Sequence, residues 1–127
     1  MPDDLVLAPS AALAEADRLL ASDRPFHAHE VLEASWKSAP AAERDLWQGL
    51  AQLAVGLTHA QRGNSRGAVA LLRRGADRVR AYAPANPHGV DVAAVVAGAT
   101  GLADRIARDG LARIPAESLR LRLRSAV

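Results

Sequence analysis

The sequence predicts an all-α fold, a compact bundle of about five helices with a tight αα-hairpin at residues 63–64 and an extended C-terminal tail. Three observations carry this. Hydrophobic residues make up 50% of the 127 positions, yet the aromatics are only two Trp, one Tyr and one Phe. Ala, Leu and Val must therefore fill the core, and Ala and Leu are strong helix formers. Apolar residues recur at three- and four-residue spacing in five successive stretches. Gly, Pro, Asn and Ser fall between those stretches, where helices start and stop.

The elements follow in order. Ser10 precedes Leu13, Ala16 and Leu20, with Ala12 and Leu19 beside them, which predicts a first helix over roughly 10–22. Asp23 is the expected N-cap of a second helix, roughly 24–38, whose first turn accepts Pro25 and which Pro40 breaks. From Ala41 to Arg62 no breaker occurs. Leu46, Leu50, Leu53 and Leu57 occupy one side, and Ala51 and Val55 point elsewhere, so the third helix is expected to be the most buried. Gly63–Asn64 supplies a left-handed stop and a new cap. A fourth helix over roughly 65–82 sets Ala68, Leu72, Gly75, Ala76 and Val79 against Arg66, Arg73, Arg74, Arg78 and Arg80. The Pro84–Gly89 segment reads as loop. Asp91 is the expected cap of a fifth helix, with Val90 and Val95 at the spacing of a hydrophobic staple, and Gly110 ends it. In the tail, Leu119, Leu121 and Leu123 alternate with Arg120, Arg122 and Arg124. That period of two predicts an extended segment whose leucines dock on the bundle and whose arginines meet the acidic N-terminal half.

The length fits one helical domain over residues 1–127. With no Cys, disulfides, thiolate metal sites and cysteine nucleophiles are excluded. Asp3 and Asp4 stand where a secretory leader would carry Lys or Arg. The apolar run Val92–Ala103 is shorter than the roughly 20 residues a membrane span needs. A cytoplasmic protein with no membrane contact is the expectation. Net charge is +2, but residues 1–59 hold nine acidic against four basic side chains, and residues 60–127 five against twelve. Nucleic-acid binding is disfavoured, because Tyr82 is the sole aromatic in the basic half and bases would lack a stacking platform.

One polar cluster stands out. On the second helix His29 and Glu33 lie one turn apart on a face flanked by Phe26 and Trp36. On the third, Gln48, Gln52 and His59 share a stripe of an otherwise apolar cylinder. Glu30 sits at the edge of the cluster, and His27 points away as a surface residue. Facing helices would bring these groups into a shared pocket, where unpaired polar groups are costly. Three readings follow: a hydrogen-bonded network that sets helix register; a binding or interaction module whose groove takes a small ligand or peptide; or a metal-dependent enzyme, such as a hydrolase. In the last, His29, His59 and Glu33 hold a divalent cation and Glu30 acts as general base. The binding module is the leading reading, and no cofactor is certain.

Two resemblances add to this. Phe26–His–Ala–His–Glu–Val–Leu–Glu–Ala–Ser–Trp36, the run from Gln48 through Gln52 to His59, and the Gly63–Asn64 to Gly67–Ala68 turn together resemble the prokaryotic domain-of-unknown-function family 309. Gly89–Val–Asp91–Val is similar to a later segment of that family, so the likeness covers roughly residues 12–108. It implies an all-helical fold with no established activity, and its characteristic polar residues fall on His29, Glu30, Glu33 and His59. More faintly, Gly56, His59, Gly63, Asn64, Ala68, Leu72 and Gly75 are spaced like one tetratricopeptide hairpin. This implies close helix approach, and a single hairpin does not make a solenoid.

Overall fold

Among the described residues five helices follow one another: α1 (Pro9–Ala21), α2 (Pro25–Ser38), α3 (Arg44–Gln61), α4 (Ser65–Arg80) and α5 (Val92–Asp109). This is a computed structural model that describes residues 7–125. Asp3, Asp4 and the last two tail residues lie outside the described residues. Single 3-10 turns occur at Ala41–Glu43, Pro87–Gly89, Leu111–Arg113 and Ala116–Ser118. The fold is all-α, and among the described residues the extended pairing is one antiparallel bridge between Val90 and Arg124.

Local chemistry accounts for the ends. Pro9 and Pro25 sit in the first turns of α1 and α2, where a missing N–H is harmless. Ser10 lies inside α1 and does not cap it. Asn64 and Asp91 cap as expected, accepting from the backbone N–H of Gly67 at 2.9 Å and of Ala94 at 3.2 Å. Asp23 does not cap α2; the cap position is Arg24, without a side-chain bond. Instead Asp23 adopts a left-handed φ of 61° and closes α1. Its N–H donates to Leu20 O at 3.2 Å, and that of Arg24 to Leu19 O at 2.8 Å. The same closure recurs after α3, where Gly63 N–H donates to Ala60 O and Asn64 N–H to His59 O. Both are Schellman turns; the first uses Asp where Gly is usual. The third helix also starts later than its sequence suggests, because residues 41–43 form a 3-10 turn behind Pro40.

Each helix packs chiefly on its chain neighbours, and the α3–α4 contact is the most extensive. Three small residues set that approach. A Cβ on Gly75 would stand 2.7 Å from Gly49 O, one on Gly49 2.8 Å from Val79 Cγ2, and one on Gly56 3.0 Å from Leu72 Cγ. The backbones touch directly. Buried Leu46, Trp47, Leu50, Leu53 and Leu57 make α3 the centre of one hydrophobic cluster that also draws on α1, α2, α4, α5 and the tail.

The tail is an extended strap between α1 and α5, as its alternation predicts. Leu123 is buried, and Leu119 and Leu121 are packed against the core. Both Asp17 carboxylate oxygens accept backbone N–H groups, from Leu123 at 2.7 Å and Arg124 at 3.2 Å. Arg120 grips Asp23 in a two-pronged pair at 2.7 and 2.8 Å. On the other side, Asp91 N–H donates to Leu123 O at 2.9 Å.

Candidate functional site

The antiparallel run of α2 against α3 places part of the predicted cluster around one groove of about 210 Å³. His29, Glu33 and Trp36 come from α2, Gln48 and Gln52 from α3, and Leu71 of α4 closes it. Along α2 a chain of charge-assisted contacts climbs one turn at a time. His29 Nε2 is 2.8 Å from Glu33 Oε2, and Lys37 Nζ is 3.1 Å from Glu33 Oε1. The hydrogen bond from Lys37, with a weaker one from His29, holds the Glu33 carboxyl below the usual carboxylate range against partial burial. Glu33 is thus an anion in the groove wall. Trp36 packs on the core and carries the Arg44 guanidinium over its ring, 5.8 Å from the centroid.

The cluster is half-buried, not sealed: the His29 side chain is 23% exposed and that of Glu33 35%. Two of its atoms are nevertheless shut away from solvent with no hydrogen-bond partner among the described residues, His29 Nδ1 and Gln52 Oε1. An unpaired buried polar atom costs about 1–3 kcal/mol.

Three expected members lie elsewhere. His59 turns toward the start of α4, its Nδ1 3.1 Å from Asn64 Nδ2 and its ring against Gly67. It therefore braces the hairpin turn and does not border the groove. Phe26 is 45% exposed, with the His29 ring at 5.9 Å and the Arg62 guanidinium at 5.9 Å. Glu30 points to the opposite side of α2, into a wider groove of about 500 Å³ against α1 that His27, Arg18 and Arg24 share. Consequently the metal triad of His29, Glu33 and His59, with Glu30 as its base, is not assembled. Among the described residues no group of three or more His, Asp or Glu is placed to hold a metal ion. The physical reason is rotational and axial: Glu30 leaves the face, and His59 lies seven residues, about 10 Å, beyond Gln52 along α3.

A second polar cluster was not foreseen. His88 Nε2 lies 2.7 Å from Glu43 Oε1, which also accepts from buried Trp47 Nε1 at 3.2 Å. The His88 ring stands 5.9 Å from that of Trp47, and Tyr82 donates to Ala42 O at 2.7 Å beside it. Glu43 and Trp47, four residues apart, are legible as neighbours. His88 is not, since it sits in a loop with left-handed φ values at Asn86 and His88. The hydrogen bond from His88, followed by that from Trp47, depresses the Glu43 carboxyl below its usual range. A depressed carboxyl contributes stability that is full above the ordinary Glu range and lost as pH falls through the folded-state value. Between about pH 5 and pH 3, wild type is therefore expected to lose more unfolding free energy than Glu43→Gln. Urea melts at several pH values check this; parallel curves would refute it.

On α4, Arg73 pairs with Asp104 at 3.1 Å, Arg78 with Asp45 at 2.9 Å and Arg80 with Asp77 at 2.6 Å. No helix among the described residues is long and apolar enough to cross a membrane.

Comparison with known proteins agrees with the sequence resemblance. Over 48 residues the chain is 46% identical to "Uncharacterized protein YpuF" of Bacillus subtilis (strain 168), a stretch that covers 37% of this chain. The matched stretch spans 28% of that relative's length. No solved structure matches the chain. The family match ends within α4 and does not extend to Gly89–Val92. Residues 13–71 match the family described as Domain of unknown function (DUF309), and every residue of the α2–α3 groove lies inside that segment.

Proposed function

We propose that this helical chain is a binding module that captures a small polar group, free or on a partner peptide, in the α2–α3 groove. The observation that carries the reading is the pair of buried, partnerless atoms, His29 Nδ1 and Gln52 Oε1, on residues of one groove. A purely structural polar cluster satisfies its own members, because each orphan is a direct loss of stability. Groups kept unsatisfied beside an aromatic wall and a carboxylate are arranged for something that arrives from outside.

Stability separates the two roles. Gln52→Leu keeps the side-chain bulk and deletes the orphan oxygen, so it is expected to raise the unfolding free energy by about 1 kcal/mol. Urea denaturation measures it. If Gln52 instead helps hold α2 on α3, the same change lowers stability by a similar amount, and the binding reading falls.

A further inference from the structure

Resting on that reading, we infer that the α2–α3 groove takes a guanidinium group, carried by an arginine-like side chain or by a small guanidino compound. A carboxylate only accepts, so the 2.8 Å contact between His29 Nε2 and Glu33 Oε2 puts the ring proton on Nε2. In the neutral imidazole the other nitrogen, Nδ1, is then an acceptor. Gln52 Oε1 is a second acceptor, and neither has a partner among the described residues. The residues of the groove thus hold two unmet acceptors and an anionic carboxylate, and their complement is a cation that only donates.

Among such cations the geometry selects a planar one. Guanidinium offers five N–H donors in a rigid fork, is less strongly hydrated than an ammonium ion, and stacks on indole. Trp36 already supports one guanidinium, that of Arg44. The volume agrees, since about 210 Å³ falls below the roughly 300 Å³ at which drug-sized sites begin and suits a headgroup. The resident cation on Glu33 is Lys37, whose side chain is 67% exposed, so an incoming group displaces a contact of little worth. The His29 and Glu33 side chains are themselves partly exposed, and side-chain rotamer changes commonly accompany binding.

The test titrates the full chain at constant ionic strength with methylguanidinium chloride, methylammonium chloride and sodium acetate, following the His29 ring nitrogens and the Gln52 side-chain amide by NMR. Methylguanidinium is expected to shift both sets saturably, at least about tenfold more tightly than methylammonium, with acetate silent at the groove. The response is expected to vanish in Gln52→Leu, whose backbone amide spectrum reports an intact fold. Saturation by acetate, or by methylammonium as tightly as by methylguanidinium, overturns the guanidinium assignment and leaves a binding groove of other chemistry. Silence of all three probes also overturns the assignment. The stability change in Gln52→Leu then decides separately whether the groove binds anything.

Discussion

Truncating Trp47 to Ala is expected to lower the unfolding free energy by about 3–5 kcal/mol, a large share of the roughly 5–15 kcal/mol a domain of this kind possesses. Trp47 is the largest fully buried side chain, 1% exposed, in a core otherwise built of Ala, Leu, Val and Ile. Few neighbours are bulky enough to collapse into the space. The substitution also strips Glu43 of its indole N–H donor, which adds an electrostatic loss to the cavity. A Trp47→Phe variant separates the two, since it refills most of the volume without the donor, and its cost is expected to be about half as large or less. Denaturant melts of both variants check this. A loss below about 1 kcal/mol for Trp47→Ala would show that the surrounding shell closes over the gap.

The second large effect comes from adding atoms. Gly75→Val is expected to destabilise the chain by about 3 kcal/mol, and Gly75→Ala by about 2. In a helix interior Gly→Ala ordinarily stabilises by about 0.5–1 kcal/mol. Here the new Cβ would meet a backbone oxygen of α3 at 2.7 Å, which cannot rotate away, and Leu53 Cδ2 at 2.8 Å. The α3–α4 hairpin must splay, loosening the contact on which the rest of the bundle is built. Gly101 in α5 is the control, because nothing lies within 4 Å of its would-be Cβ. Gly101→Ala is expected to gain about 0.5–1 kcal/mol. Thermal melts of the three proteins give the signs directly, and an equal gain at positions 75 and 101 would remove the close-packing argument.

Much of the architecture could be read beforehand because it is written in local, periodic signals. The apolar stripes placed the helices, the Gly63–Asn64 turn and the Asp91 cap needed only neighbours a few residues away, and the leucine–arginine alternation described the strap. Asp23 was misread for the complementary reason. Its left-handed turn is braced by Arg120 from 97 residues away, a partner no local rule can supply. In the groove, a helical wheel correctly juxtaposed His29, Glu33 and Trp36 with Gln48 and Gln52, since azimuth decides which faces meet. It failed for His59 and Glu30, because a wheel carries neither height along the axis nor the direction a side chain takes after Cβ. Glu43 and His88 were invisible as a pair, lying 45 residues apart with the imidazole on an aperiodic loop.

The strap also sets an order of events. Asp17, in the second half of α1, completes its hydrogen bonds only with the main chain at Leu123 and Arg124, more than 100 positions later. During synthesis the first helix therefore waits, its carboxylate hydrated, until residues 123 and 124 have left the ribosome. Closure of this long loop is the step with the greatest sequence separation and comes after the local hairpins have formed. Chains halted before residue 123 would carry all five helices yet lack the strap between α1 and α5, and quality-control proteases would meet an open seam instead of a finished surface.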